Sequence, residues 1–191
     1  MTKAIILLPL VMLAACDSKA DVKATNASVQ EVAAKVAAAR DKGDFLRPGK
    51  WQIKGFIDDI SIPGMPAGMA DKMKQQGQNM PGTTSCMTEA DVKKPGPDFF
   101  TGDKNCRYDH FSMVDGKIDA KMRCTSPRGS QVTSMNGEFK PESYRMALTT
   151  AMETTGGKPA SGMEAMTMKL HMEGTRVGEC DAATEGKVAP R

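Results

Sequence analysis

Aromatic side chains are scarce in this sequence, at 5% of 191 residues, with one Trp, two Tyr and six Phe. Other apolar groups must fill any core. Histidine is scarcer still, with His110 and His171 alone. No G-x-S-x-G, H-E-x-x-H or phosphate-cradling glycine loop is present, so no motif marks a nucleophile, a zincin-type metal site or a nucleotide site. Charge of one sign is lacking too. The formal net charge is +3, and removal of Lys3 with a leader would leave +2. The basic residues are scattered, which excludes a nucleic-acid partner. No two cysteines stand in C-x-x-C spacing, so no thioredoxin-like redox motif is marked. What the chain has in excess is methionine, with 16 residues.

The N-terminus carries the most specific signal. Met1-Thr2-Lys3 is a short basic region, and Ala4 to Leu13 is an apolar stretch too short to span a bilayer as a helix. Leu13-Ala14-Ala15-Cys16 then matches the bacterial lipobox. Residues 1–15 are therefore expected to be a signal peptide, with Cys16 becoming N-terminal and lipid-modified. Three acyl chains hold far more firmly than one, at roughly 0.8 kcal/mol per buried CH₂. The expected location is the periplasm-facing cell envelope of a Gram-negative bacterium, the lipid making the membrane a partner. Asp17 resembles an inner-membrane retention signal of enteric bacteria, a rule that differs between bacterial groups.

Residues 16–46 read as anchor, tether and short helix. Ser28-Val29-Gln30-Glu31 is a capping box opening a helix from about Val29 to Asp41. Its stripe of Val29, Val32, Ala33, Val36 and Ala37 is narrow, and predicts a weakly packed helix beside the anchor. Residues 47–180 read as β-rich. Trp51, Ile53 and Ile57 alternate, and Gly55 between them suggests a bulge or close backbone approach. An insertion from Pro63 to Gly82 carries Met65, Met69, Met73 and Met80, with two helical turns possible over Met69–Gln76. Thr83 to Met87 is a short strand, and Thr88 caps a helix start. Phe99-Phe100 is expected to plug the following loop onto the core.

Cys106 to Cys124 reads as a hairpin folded at Asp115-Gly116, a dipeptide suited to the φ > 0 of a primed turn. Ile118, Ala120, Met122 and Cys124 share one face of its second strand. Three further alternating runs follow: Gln131–Phe139, Ser143–Thr154, and Met166 to Glu173. Residues 181–191 are expected to form a mobile tail. The fold expected is mainly β: a curved antiparallel meander or partial barrel of about seven strands, with short helices in the tether and loops.

Pro48-Gly49-Lys50-Trp51, the Pro-Gly-Met-Pro insertion, Ser85-Cys86-Met87-Thr88, the C-R-Y-D…C hairpin and the closing Gly178-Glu179-Cys180 together resemble the DUF3617 family. That family groups small proteobacterial envelope proteins around a domain of unknown function. The resemblance spans about Arg47 to Cys180. It implies a periplasmic, β-rich domain, and carries no activity or catalytic residue to this chain.

With Cys16 assigned to lipid, four cysteines remain in an oxidising compartment. A strict two-residue turn places Arg107 opposite Cys124, so a Cys106–Cys124 pair requires a bulge near the turn or near Arg107. Cys86–Cys180 then follows by elimination. A four-thiolate zinc site is the rival. Asp109 and His110 are adjacent on a strand and so point to opposite faces, which denies them a dyad. By parity both histidines face away from the apolar side.

The methionines read first as core filling. A sharper reading is an adaptable apolar surface for a hydrophobic ligand or envelope partner. A second is Cu(I) handling by thioethers, through Met65, Met69, Met73 and Met80, with His171-Met172 as a weaker group. An enzyme ranks third. No catalytic residue and no cofactor is expected.

Overall fold

The computed structural model describes residues 21–40, 45–66, 68–78, 82–93, 104–126, 129–153 and 165–181. Cys16, the leader, Met80, Phe99-Phe100 and the tail after Asp181 lie outside them.

The chain folds as one open antiparallel sheet of eight strands: β1 Val22–Ser28, β2 Gly49–Ser61, β3 Thr83–Met87, β4 Cys106–Val114, β5 Lys117–Ser126, β6 Gly129–Lys140, β7 Ser143–Glu153 and β8 Thr167–Gly178. Among the described residues three helices accompany them: α1 Val29–Arg40, α2 Met69–Gln78 and α3 Glu89–Lys93. The spatial order is β1-β4-β5-β6-β7-β8-β2-β3. β4 to β8 form the expected meander, while β2 turns back to pair with β8. β1 and β3 are the edges, so the sheet is open and not a barrel.

Seven strands were expected, and the eighth is β1. It occupies the stretch read as tether and extends the sheet back to Val22. Its alternation is broken at Asn26, which adopts φ 48°, a conformation that Asn tolerates better than most side chains. Arg107 donates from Nε to Asn26 Oδ1 at 3.1 Å and from its guanidinium to the Asn26 carbonyl.

The expectation of a weakly packed α1 is also corrected. Val29, Val32, Val36 and Ala39 are all buried, and join Tyr108, Phe111, Met113 and Met122 in one apolar cluster. The capping box forms as read: the Ser28 amide donates to Glu31 Oε2 at 2.6 Å, and the Glu31 amide donates to Ser28 Oγ at 3.2 Å. The Ser28 amide and hydroxyl, both donating to Glu31 Oε2, hold the Glu31 carboxyl below its ordinary pKa. At the helix end the Arg40 guanidinium lies 5.5 Å over Phe45, which stacks on Phe139 at 5.7 Å.

Asp115 and Gly116 both take positive φ, 52° and 71°, and Val114 pairs directly with Lys117. This is a two-residue primed turn. Gly116 is needed for space as well, since a Cβ there would stand 2.8 Å from the Phe139 carbonyl. The register shifts by one between Tyr108 and His110, which sets Cys106 opposite Cys124. Asp109 is thus the bulge that the pairing required.

A second bulge lies in β2, where the register shifts between Ile57 and Asp59. The bulge expected near Gly55 is therefore at Asp58. In both strands the extra residue switches which parity faces the core. Tyr108 and Phe111 are both buried, as are Trp51 and Ile60.

Tyr108 is 1% exposed, and its hydroxyl has no hydrogen-bond partner among the described residues. Burial pushes its pKa up to about 12. An unmet buried hydroxyl costs on the order of 1–3 kcal/mol, so Tyr108→Phe is expected to stabilise the fold by about 1 kcal/mol in urea melts. The phenol's raised pKa makes stability complete below about pH 10, the unfolded value, and lost as pH rises through the folded value. Tyr108→Phe should flatten that alkaline decline. A destabilised variant with the wild-type alkaline slope would refute this reading.

Candidate functional site

Three cross-sheet rows build the apolar face. The first runs Tyr108, Met122, Thr133, Thr150, Met168, Ile60, and the second Phe111, Ala120, Met135, Leu148, Leu170, Ile57. The third runs Met113, Ile118, Gly137, Met146, Met172, Gly55. Each row starts in the core beneath α1: Tyr108, Phe111, Met113, Ala120, Met122 and Met135 are all at most 8% exposed. Further along, on β7 and β8, Met146, Leu148, Met168, Leu170 and Met172 are only half-buried.

Two helices frame this half-buried region. α1 lies over β1 and β4 at one side, and α2 lies against β2 at the other. α2 approaches closely where Gly77 meets Ile57, since a Cβ on Gly77 would stand 2.7 Å from the Ile57 side chain. Its first turn carries Met69, which is 46% exposed. Between the helices, a Cβ added at Gly55 would meet nothing within 4 Å. Gly55 therefore marks an open notch, with Ile53 and Ile57 beside it on the same strand face and Met172 opposite it. The close backbone approach expected there is absent.

Toward the β6–β7 turn the face closes again. Trp51 is fully buried, its ring 5.8 Å from that of Tyr144, and its Nε1 donates to the Arg47 carbonyl at 3.1 Å. The Tyr144 ring lies over Gly174, where a Cβ would come within 2.1 Å of it.

The opposite face is polar and ion-paired. His110 Nε2 lies 2.7 Å from Asp119 Oδ1, and Asn136 donates to the other oxygen of Asp119. The Arg123 guanidinium bridges Asp109 and Glu153. The bulge places Asp109 and His110 together on this outer side, correcting the expectation that they point apart. They engage different partners and do not form a dyad. His171 Nδ1 lies 2.7 Å from Asp58 Oδ1, with its ring stacked on Phe56 at 4.6 Å. Such exposed pairs contribute at most about 1 kcal/mol each. A shallow cavity of about 170 Å³ is lined by residues including Glu138, Lys140, Arg145 and Glu173, and Gly55 is not among its lining residues.

The structure brings Cys106 to Cys124 and Cys86 to Cys180, with Cα atoms 4.0 and 5.4 Å apart. This pairwise geometry does not gather four thiolates around one ion. Of the thioether candidates, Met69 and Met73 lie one helical turn apart on α2, and Met65 is in the loop before it. His171 and Met172 are not brought together: His171 faces outward to Asp58, while Met172 faces inward beside Met146. Among the described residues no group of three His, Cys, Asp or Glu side chains is placed to hold a metal ion. No helix among them is long and apolar enough to cross a membrane.

The sequence pattern missed Gly55 as a site residue, because a glycine in a strand gives no sign of whether the space over it is filled. It also missed the change from buried to half-buried along each row, which depends on the position of α1.

These features define a small β-sheet domain with two cysteine pairs at disulfide distance and one apolar face partly covered. The chain belongs to the DUF3617 family, described as a protein of unknown function, whose model matches residues 46–180. No curated protein and no solved structure matches it.

Proposed function

We propose that this is a lipid-anchored periplasmic domain that binds a hydrophobic ligand on the methionine-lined face between α1 and α2, without catalysis. The observation that carries this reading is the open space over Gly55, set among half-buried Ile53, Ile57, Met146 and Met172. Flexible, polarisable methionines suit a surface that adapts to an acyl chain or similar apolar group. The lipobox ending at Cys16 supports the anchor and the compartment.

The mature chain carrying Cys16→Ser serves as a soluble test protein. Titration with an environment-sensitive fluorescent fatty acid should give saturable binding. Gly55→Phe fills the notch and should weaken binding by about tenfold or more, a loss of ~1.4 kcal/mol. Gly55→Ala should change little. An absence of saturable binding, or equal affinity in Gly55→Phe, would sink the proposal.

Cu(I) handling is the second reading, favoured by the exposure of Met69 one helical turn from Met73. On that reading, replacing Met65, Met69 and Met73 by Leu removes Cu(I) binding and leaves the fold intact. No Cu(I) affinity in the unsubstituted methionine set would dispose of it.

A further inference from the structure

We infer that one end of the sheet faces the membrane: the end carrying the β4–β5 and β6–β7 turns. This rests on the lipid-anchor reading and adds an orientation to it. The first observation is the length of chain between the anchor and the fold. β1 begins at Val22, which pairs with Met113 beside the Asp115-Gly116 turn. Between Cys16 and Val22 stand only the five residues 17–21. Six virtual bonds reach at most about 20 Å when fully extended. A 12-residue strand such as β6 is itself about 40 Å long. The tether therefore keeps the Val22 end near the headgroups and does not reach the length of the sheet.

The second observation is charge. Lys23, Lys117 and Lys140 all lie at this end, exposed on the outer face of β1, β5 and β6. None of the three side chains makes an ion pair among the described residues, although Glu138 stands opposite Lys117 in register. At the far end Arg123 is bridged to Asp109 and Glu153, while Lys104 there is exposed without an ion pair among the described residues. The tethered end also carries exposed Asp115 and Glu138. The tether length sets the orientation, and the three lysines add to it. Unpaired cations at the tethered end complement anionic phospholipid headgroups. The partner of this surface is accordingly the bilayer holding the anchor, and the Cys106–Cys124 end projects away from it.

The test uses the full lipidated protein in phosphatidylglycerol-containing vesicles with spin-labelled headgroups. A fluorescent amino acid is placed either at Glu142, in the β6–β7 turn, or at Thr125, near the far end of β5. Quenching should be stronger at 142 than at 125. The combined substitution Lys23→Glu, Lys117→Glu, Lys140→Glu should reduce the difference. Equal or reversed quenching overturns the orientation, and an unchanged difference in the triple variant removes the lysines from it. Intact-mass measurement separates the two levels: an unacylated Cys16 overturns the anchor reading and the orientation together. Acylation with equal quenching overturns the orientation alone.

Discussion

Replacing Cys86 and Cys180 together by Ala is expected to lower the unfolding free energy by about 4–5 kcal/mol. The bond closes a loop with a sequence separation of 94, and in the chain-entropy account long loops gain most from closure. Local geometry points the same way. β3 is a five-residue edge strand that pairs only with Gly49–Ile53 of β2, and short edge strands are marginal without support. The bond ties it to the chain segment after β8. Urea melts of the oxidised wild type and the double variant measure the effect. Removing Cys106 and Cys124 should cost less, about 3 kcal/mol, because that bond closes a separation of only 18. The hairpin strands are also held by their own ladder and turn. The opposite ranking would mean that the long-range bond does not pin the sheet.

Trp51→Ala is the second large effect, expected to cost about 3–5 kcal/mol. Trp51 is fully buried, packs its ring at a tilt against Tyr144 and donates to the Arg47 carbonyl. Truncation loses the transfer free energy of the indole and leaves a cavity next to Tyr144. Trp51→Phe keeps an aromatic body but drops the indole donor, and should cost clearly less. Circular dichroism is the suitable probe, since the chain has no other Trp to report by fluorescence. Gly174→Ala tests the same packing from beneath, because its new methyl would displace the Tyr144 ring. If Trp51→Ala and Gly174→Ala both melt like wild type, this end of the face is not closed as described.

Local rules carried the middle of the fold. Asp115-Gly116 announced its turn because few dipeptides accept two positive φ values, and the runs from Lys117 to Glu153 alternate cleanly between turns. The cysteine pairing was legible through register arithmetic: a two-residue turn and one bulge are both needed to set Cys106 against Cys124. The rest depended on distant chain segments. β1 was hidden because Ala24, Thr25, Asn26 and Ala27 are small or polar and Asn26 breaks the alternation. Its place at the edge comes from pairing with β4, some 85 residues downstream. β2 finds β8 across more than a hundred residues, a pairing that no local pattern encodes.

The candidate site was legible only as a composition. Met146, Met168 and Met172 alternate as the sequence indicated, yet so do Met113, Met122 and Met135. Alternation names the face and not its cover. The cluster that includes the α1 stripe buries Met113, Met122 and Met135, while Met146 packs against it only partly buried and Met168 and Met172 lie outside it. The side of Asp109 was misjudged for a related reason: a bulge inserts one residue without leaving any mark on composition.

The most direct measurement is methionine-methyl NMR of the Cys16→Ser mature chain as a fatty acid is added. If the half-covered face is the binding surface, the methyl signals of Met146, Met168 and Met172 shift together and saturate. Those of Met113, Met122 and Met135 stay near their starting positions. Shifts confined to the buried set, or to Met65, Met69 and Met73, or no shift at saturating fatty acid, would contradict the account.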